Sequence, residues 1–331
     1  MKQIIQSHRT GKLALKVVPE PIVKERTILV RTHASLISAG TERMVISFAK
    51  KNIAGKAKAR PDLVKKVISK IKKDGLKSTF ESVMARLDEP LPLGYSASGE
   101  VVAIGSGAEG KFEVGQRVAI AGAGVANHAD LNLVPINLAA RIPHSVKDEE
   151  ACFGTIGAIA LHAVRNLKTQ LGDTIGILGM GLVGQLAAQF LRISGNKVIA
   201  IDYNQARLDL AASLGANYTI NLSNETASNQ ALDLTEGRGC DGIIIAAATS
   251  SSEPFQTAAN IARDRSCIVM VGVAGTTFPY ADFMKKELKI IVSRSYGPGR
   301  YDHDYENKGV KYPEGWIRWT ETENLKECLH L

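Results

Sequence analysis

No two cysteines of this chain form a CxxC pair, aromatic residues are few, and no apolar run reaches membrane-spanning length. Each shortage removes a class of answers. Cys152, Cys240, Cys267 and Cys328 are scattered. That spacing speaks for reduced thiols in a cytoplasmic protein, and against a disulfide framework or a zinc cluster. Phe, Trp and Tyr make up 5% of the chain, too little for base-stacking platforms. A run of about eighteen apolar residues, the length that suggests a membrane helix, is missing. The opening residues, MKQIIQSHRTGK, lack the hydrophobic core of a signal peptide. Internal repeats and low-complexity tracts are also absent.

What is present suits two domains. The chain has 331 residues, 45% hydrophobic and 22% charged, enough for a normal buried core. The net charge of +8 is concentrated in one place. Residues 50–77 hold eleven Lys/Arg and two Asp, a net of +9, so the remainder is near −1. The surrounding segment, 44–88, reads as a helical hairpin. Pro61 and Asp62 make a good first turn, and Leu63, Val64, Val67, Ile68 and Ile71 fall at helical spacing before Gly75. A capping box at 78–81 (STFE) opens a second stripe of Phe80, Val83, Met84 and Leu87. Its lysine-rich face is open to three readings: a solvated surface, a docking surface for an anionic substrate or partner, or a nucleic-acid contact. The last is disfavoured, because no nucleic-acid motif accompanies the charge.

Residues 174–202, TIGILGMGLVGQLAAQFLRISGNKVIAID, carry a dinucleotide-binding turn in its required setting. An apolar run leads into Gly179-Met180-Gly181-Leu182-Val183-Gly184, an amphipathic helix pattern follows, and a second apolar run ends at Asp202. Gly179 permits the tight turn, Gly181 lets a pyrophosphate approach the backbone, and Gly184 lets the helix pack closely on the strand. The N–H groups at the helix start, those of Leu182 and Val183 among them, face the phosphates. Asp202 is placed to accept hydrogen bonds from a ribose diol. Its charge favours NAD, since a carboxylate there repels the 2′-phosphate of NADP. Arg207 could soften that preference and leave NADP open, lie along the adenine, or serve a solvated helix face.

The pattern before this motif is β-rich. Residues 1–40 read as short strands, and 99–104, 116–121 and 129–135 as strands separated by glycine turns. After it, strands near 218–222, 242–247, 266–272 and 289–293 alternate with helices. The implied fold is α/β, a doubly wound parallel Rossmann sheet with a β-rich partner domain. The domains are expected at 1–147, with 44–88 as an insertion, and at 148–294.

Three short stretches resemble medium-chain, alcohol-dehydrogenase-like oxidoreductases. GYSASGEV at 94–101 is similar to that family's GHExxGxV, GQRV at 115–118 to its GDRV, and AGTE at 39–42 to its CGTD. The resemblance covers essentially the whole chain. It implies a GroES-like N-terminal domain and hydride transfer between nicotinamide and an alcohol or carbonyl. It also implies that 295–331 returns to the first domain. The family's catalytic zinc ligands would fall at Ala39 or Ser38, Tyr95, Ser96, and Gly154 or Thr155. None of these is a usual zinc ligand, and the four-cysteine structural zinc lobe is missing, so the chain is expected to hold no metal. GTERMV, the basic hairpin, PLGYS and SYGPGRYD narrow the resemblance to a zinc-free subgroup. That subgroup forms the N-terminal half of two-part oxidoreductases of surface-polysaccharide gene sets. The helix opened by the capping box at 320–323 runs on to Leu331 with no Gly, Asn or Pro to end it. The chain is read as a truncated product, the alternative being that the family's last elements are dispensable.

The resemblance supplies the candidate catalytic residues. Tyr95 stands where a metal ligand would and carries a phenol that can donate a proton; it could equally be a core tyrosine. His128 brings an imidazole, a side-chain type suited to proton transfer, or is an ordinary surface-loop histidine. Thr41 and Glu42 contact substrate or nicotinamide ribose, or cap a helix. Thr155 contacts nicotinamide or its phosphate, and Cys152 is a small buried residue. The expected partner is a small molecule, sugar-like and anionic or a nucleotide-sugar, with homo-oligomerisation left open. The competing functions are an NADPH-dependent quinone or enoyl reductase, against which Asp202 counts, and a non-catalytic cofactor-binding remnant.

Overall fold

The computed structural model describes residues 1–8, 10–50, 89–223 and 227–331, together with the helical positions 55, 64, 65 and 69. The basic hairpin expected over 44–88 lies almost entirely outside the described residues. The chain divides into two compact units, Met1–Phe153 and Gly154–Leu331.

The first unit is built from antiparallel strands. Its strands are β1 (Lys2–Ser7), β2 (Leu13–Val17), β3 (Thr27–Ser35), β4 (Pro90–Pro92), β5 (Ser96–Ile104), β6 (Arg117–Ala121), β7 (Leu131–Pro135) and β8 (Ala139–Arg141). They form a sheet β2-β1-β4 and a five-stranded sheet β7-β3-β5-β6-β8. Ile28, Val30, Val101, Val118, Ile120 and Val134 are buried to 1% exposure or less and form the core of the larger sheet. Gly99 lies where β5 crosses a register shift in β3, and any Cβ there would collide with the Arg31 carbonyl. A helix, Thr41–Ala49, follows β3.

The short helix Asp148–Ala151 also belongs to this unit, although the sequence places Asp148 at the start of the second domain. The reason is its polar anchoring. Ser98 Oγ donates to Asp148 O at 2.7 Å, Ser96 Oγ donates to Cys152 O at 2.6 Å, and the Asp148 carboxylate is shared by Arg117 and His33.

The second unit is a six-stranded parallel sheet, β9 (Thr174–Leu178), β10 (Lys197–Asp202), β11 (Tyr218–Asn221), β12 (Cys240–Ile245), β13 (Ala262–Met270) and β14 (Lys289–Val292). The order β11-β10-β9-β12-β13-β14 reverses between β9 and β12. The strands read as continuous apolar runs because both faces are covered. Val198, Ala200, Ile244 and Val269 pack in one layer with the helices Gly154–Leu167 and Leu182–Ile193. Their neighbours Ile199, Ile201, Ile243, Ile245 and Ile268 face the other layer, with the helix Glu253–Ile261. This alternation is the period of two that a strand imposes.

Residues 295–331 were expected to return to the β-rich domain. They fall in the second compact unit, where the last helix, Glu321–Cys328, packs on the helix Gly154–Leu167. Cys328, in the helix Glu321–Cys328, sits against Gly157 so closely that a Cβ on the glycine would collide with its sulfur. Arg165 donates to Asn324 Oδ1, and Asn324 Nδ2 donates to Tyr296 O at 2.9 Å. Thr320 caps the helix by accepting the Glu323 N–H, as the capping box implied, and Leu325 and Leu329 point inward. Glu321, at the start of this helix, is 1% exposed, and neither carboxylate oxygen has a hydrogen-bond partner among the described residues. Burial, aided by the nearby Glu306, pushes its carboxyl up to about 9, while Arg300 and Arg294 work against the rise.

Candidate functional site

On the second unit the glycine turn directly follows β9, at the point where the strand order reverses. Gly179 has φ +99°, and a Cβ there would come within 2.7 Å of the Ala247 nitrogen. Only glycine satisfies both the angle and the space. A Cβ on Gly184 would collide with the Gly179 carbonyl, so this position sets how closely the helix approaches the turn. Gly181 differs from both. Its φ of −75° is ordinary, and a Cβ would meet nothing within 4 Å. It caps the helix Leu182–Ile193 without a side chain, and the Gln185 N–H donates to its carbonyl at 2.9 Å. The N–H groups of Leu182, Val183 and Gly184 precede that first helical bond, so they have no acceptor within the helix. An open, uncapped helix start of this kind suits a pyrophosphate.

Asp202 closes β10 and is 8% exposed. Its Oδ2 accepts the Met180 N–H at 2.7 Å, and its Oδ1 accepts the Asn204 N–H at 2.9 Å. Arg207 Nη1 lies 3.6 Å from Oδ2 on a half-exposed side chain, so this residue stands beside the acid. Gln185 Nε2 donates to Arg207 O at 2.8 Å and Met180 O at 3.3 Å, strapping the same turn from beneath. No local pattern announces this strap, because a glutamine inside a helix pattern reads as surface. A carboxylate has capacity for about four hydrogen bonds, so the ribose reading fits the acid as found. The structure thus gathers Gly179, Gly181, Leu182, Val183, Gly184, Asp202 and Arg207 in one place. Thr155 is fully buried in the first turn of the helix Gly154–Leu167.

On the first unit Tyr95, Thr41 and His128 come together through Glu42. Glu42 Oε1 accepts the Ser38 N–H at 2.9 Å, and the Glu42 N–H donates to Ser38 O at 3.0 Å, a reciprocal helix cap. Its other oxygen, Oε2, lies 3.0 Å from His128 Nε2. The two side chains are 8% and 7% exposed, so His128 is no surface-loop histidine. His128 Nδ1 is 2.8 Å from Ser35 Oγ. The Tyr95 phenol is hydrogen-bonded to the side chains of Ser38 and Thr41. Burial pushes this phenol above its usual range; the two hydrogen bonds oppose the rise and the Glu42 carboxylate adds to it. Glu42 was legible only as a cap or a substrate contact. Its bond to His128 depends on a loop fold that no local pattern announces. Cys152 is buried, and burial with Glu149 nearby pushes its thiol up to about 11.

The zinc-binding dehydrogenase family matches residues 183–308 of this chain. Sorbitol dehydrogenase of Bacillus subtilis is 26% identical over 261 residues, covering 68% of this chain and 70% of that protein. The chain is thus similar to medium-chain, alcohol-dehydrogenase-like proteins. D-xylulose reductase A of Aspergillus oryzae is 26% identical over 247 residues, 64% of this chain and 68% of that protein. Galactitol-1-phosphate dehydrogenase from Escherichia coli shares the fold with a TM-score of 0.72 at 19% identity, over 100% of this chain and 89% of that one.

Zinc-dependent members of the superfamily need thiolate, imidazole or carboxylate donors around the metal. At the positions to which the resemblance assigned those ligands in this unit stand Ser38 or Ala39, Tyr95, and Ser96, whose hydroxyl donates to the Cys152 carbonyl. Among the described residues, no three His, Cys, Asp or Glu side chains are grouped to hold a metal ion. No helix among them is long and apolar enough to cross a membrane.

Proposed function

We propose that this chain is an NAD-dependent dehydrogenase that interconverts a secondary alcohol of a polyol or sugar-like substrate with its carbonyl, without zinc. The observation that carries the reading is Asp202, a buried carboxylate fastened to the glycine turn at the end of β10. Bound nicotinamide supplies the hydride chemistry. The open helix start at Gly181 receives the pyrophosphate, and Asp202 takes the ribose hydroxyls and turns away a 2′-phosphate. Arg207 stands beside this acid, 3.6 Å from its Oδ2.

Sorbitol, xylulose and galactitol phosphate in the names of the similar proteins support the polyol class. The donor set at the would-be metal positions supports zinc independence: an alanine, a serine hydroxyl and a phenol replace thiolate, imidazole and carboxylate. Tyr95 then holds the proton that the substrate oxygen gains on reduction and loses on oxidation. Thr41 orients the phenol.

A panel of polyols with NAD and with NADP, followed by nicotinamide absorbance, tests this reading, together with metal analysis of the purified protein. NAD-dependent oxidation that survives chelator and is abolished by Tyr95→Phe is expected. Tighter binding of NADPH than NADH would refute the cofactor assignment, and stoichiometric zinc would refute the metal-free chemistry. Firm NADH binding with no turnover on any member of the panel would favour the remnant reading.

A further inference from the structure

The polar tract that follows β12 has no part in the function just proposed, yet it is tightly braced. The Thr249 N–H donates to Val273 O at 2.8 Å, the Ser251 N–H to Thr249 Oγ1 at 3.1 Å, and the Glu253 N–H to Ser251 Oγ at 3.1 Å. Ser252 Oγ accepts the Thr277 N–H at 3.2 Å, which pins the tract to the loop after β13. Glu253 thus projects from a fixed base at the start of the helix Glu253–Ile261. Its partner stands on another strand. The Tyr203 phenol donates to Glu253 Oε1, and the residue before this tyrosine is Asp202.

The sheet sets the course of that bond. β10 and β12 are not neighbours, because β9 lies between them. Adjacent strands stand about 4.8 Å apart, so the bond closes a gap of about 10 Å across the carboxyl end of β9, where the glycine turn begins. The strand period puts Asp202 with Val198 and Ala200, on the side of the helix Leu182–Ile193. It puts Tyr203 with Ile199 and Ile201, on the side of the helix Glu253–Ile261. The two residues therefore line opposite walls of the crevice at which the strand order reverses, the place where a doubly wound sheet takes its ligand. A ribose on Asp202 carries its adenine within reach of the next residue, and Tyr203 with Glu253 occupies that space.

We propose that the Tyr203–Glu253 bond is a latch over the adenosine end of the cofactor crevice, which the dinucleotide must open to bind. The inference rests on the proposed use of NAD. Opening needs no movement of the backbone. Tyr203 is held between Asp202 and Asn204, whose N–H donates to Asp202 Oδ1, while its side chain is 54% exposed and has room for another rotamer. A hydrogen bond between exposed groups has a modest net strength, so the closed form lowers the apparent affinity without excluding the cofactor. Glu253 acts through Tyr203 by holding the ring across the crevice.

NADH binding to the full chain, followed by nucleotide fluorescence in titration and stopped flow, tests the latch without turnover. Tyr203→Phe keeps the ring and the Glu253 charge and removes only the bond. It should bind NADH about threefold to tenfold more tightly, with the gain in the association rate. AMP, which has only the adenosine end, should gain by the same factor. Glu253→Ala should also tighten binding, and adding Tyr203→Phe to it should bring nothing further, because the bond is already gone. Both side chains are exposed, so neither change threatens the fold. Unchanged or weaker binding by Tyr203→Phe, or gains that add in the double variant, overturn the latch and leave the cofactor assignment standing. Absence of NADH binding in native and variant proteins alike overturns the cofactor assignment, and the latch with it.

Discussion

Gly157 and Cys328 face each other with no room for a side chain between them. The contact joins the first helix of the nucleotide-binding unit to its last, and it depends on the absence of one methyl group. Gly157→Ala should force the helices apart and cost about 1–3 kcal/mol, the usual penalty of overpacking a filled core. Denaturant unfolding checks the value. Adding Cys328→Ala should recover much of the loss, because the sulfur is the atom in the way. A double variant no better than the single one would mean that the strain lies elsewhere.

Two other glycines should separate folding from binding. A methyl on Gly181 meets no protein atom, so Gly181→Ala should change stability by less than about 0.5 kcal/mol. It should still weaken NADH binding at least about tenfold, because the methyl occupies the approach of the pyrophosphate. Gly184→Ala should do the reverse damage first, lowering the melting temperature through its collision with the Gly179 carbonyl. Unimpaired NADH binding by a well-folded Gly181→Ala would remove the turn from the cofactor site.

Asp202→Asn keeps the shape of the side chain and loses the charge. The bonds from the Met180 and Asn204 N–H groups are charge-assisted in the native protein. Their weakening should cost about 1.5–3 kcal/mol, read from urea unfolding without cofactor. NADH affinity should fall in the same variant. Lost affinity at full stability would assign the acid to the ribose alone.

Glu321 predicts a pH dependence of stability. Its folded carboxyl is raised to about 9 from an ordinary 4.5, so between these values the native state holds a proton that the unfolded chain releases. The neutral acid's full contribution is present below about pH 4.5, shrinks as pH rises, and is lost through about pH 9. Glu321→Gln should match the native protein near pH 4 and exceed it by on the order of 2–4 kcal/mol at pH 7. Parallel stability curves for the two proteins would contradict the buried, neutral carboxyl.

Much of the nucleotide-binding unit was legible because its signals are local. The glycine spacing, the apolar strands and the acid at the end of β10 each carry their meaning within thirty residues. The alternation of Val198, Ile199, Ala200 and Ile201 between two helix layers follows from strand geometry alone. The candidate catalytic cluster was legible only in part. Tyr95 and Thr41 lie in motif positions, but the Glu42–His128 bond spans 86 residues. Its partner sits in a glycine- and asparagine-rich loop without periodicity. The packing of 295–331 was not legible, because Asn324 and Cys328 find Arg165 and Gly157 far along the chain. No spacing rule records such a meeting.

The anchoring of Met180 and Asn204 by Asp202, beside the ribose role proposed for it, bears on how this protein can evolve. An acid that read only the ribose could be exchanged in one mutational step to admit a phosphorylated cofactor. Here the same exchange would unfasten Met180 and Asn204 and leave Arg207 without its counter-ion. A lineage changing cofactor would pass through a loosened turn before any gain appeared. The proposed preference for NAD would thus be entrenched by architecture, and engineering a reversal should begin with a new anchor for the Met180 N–H.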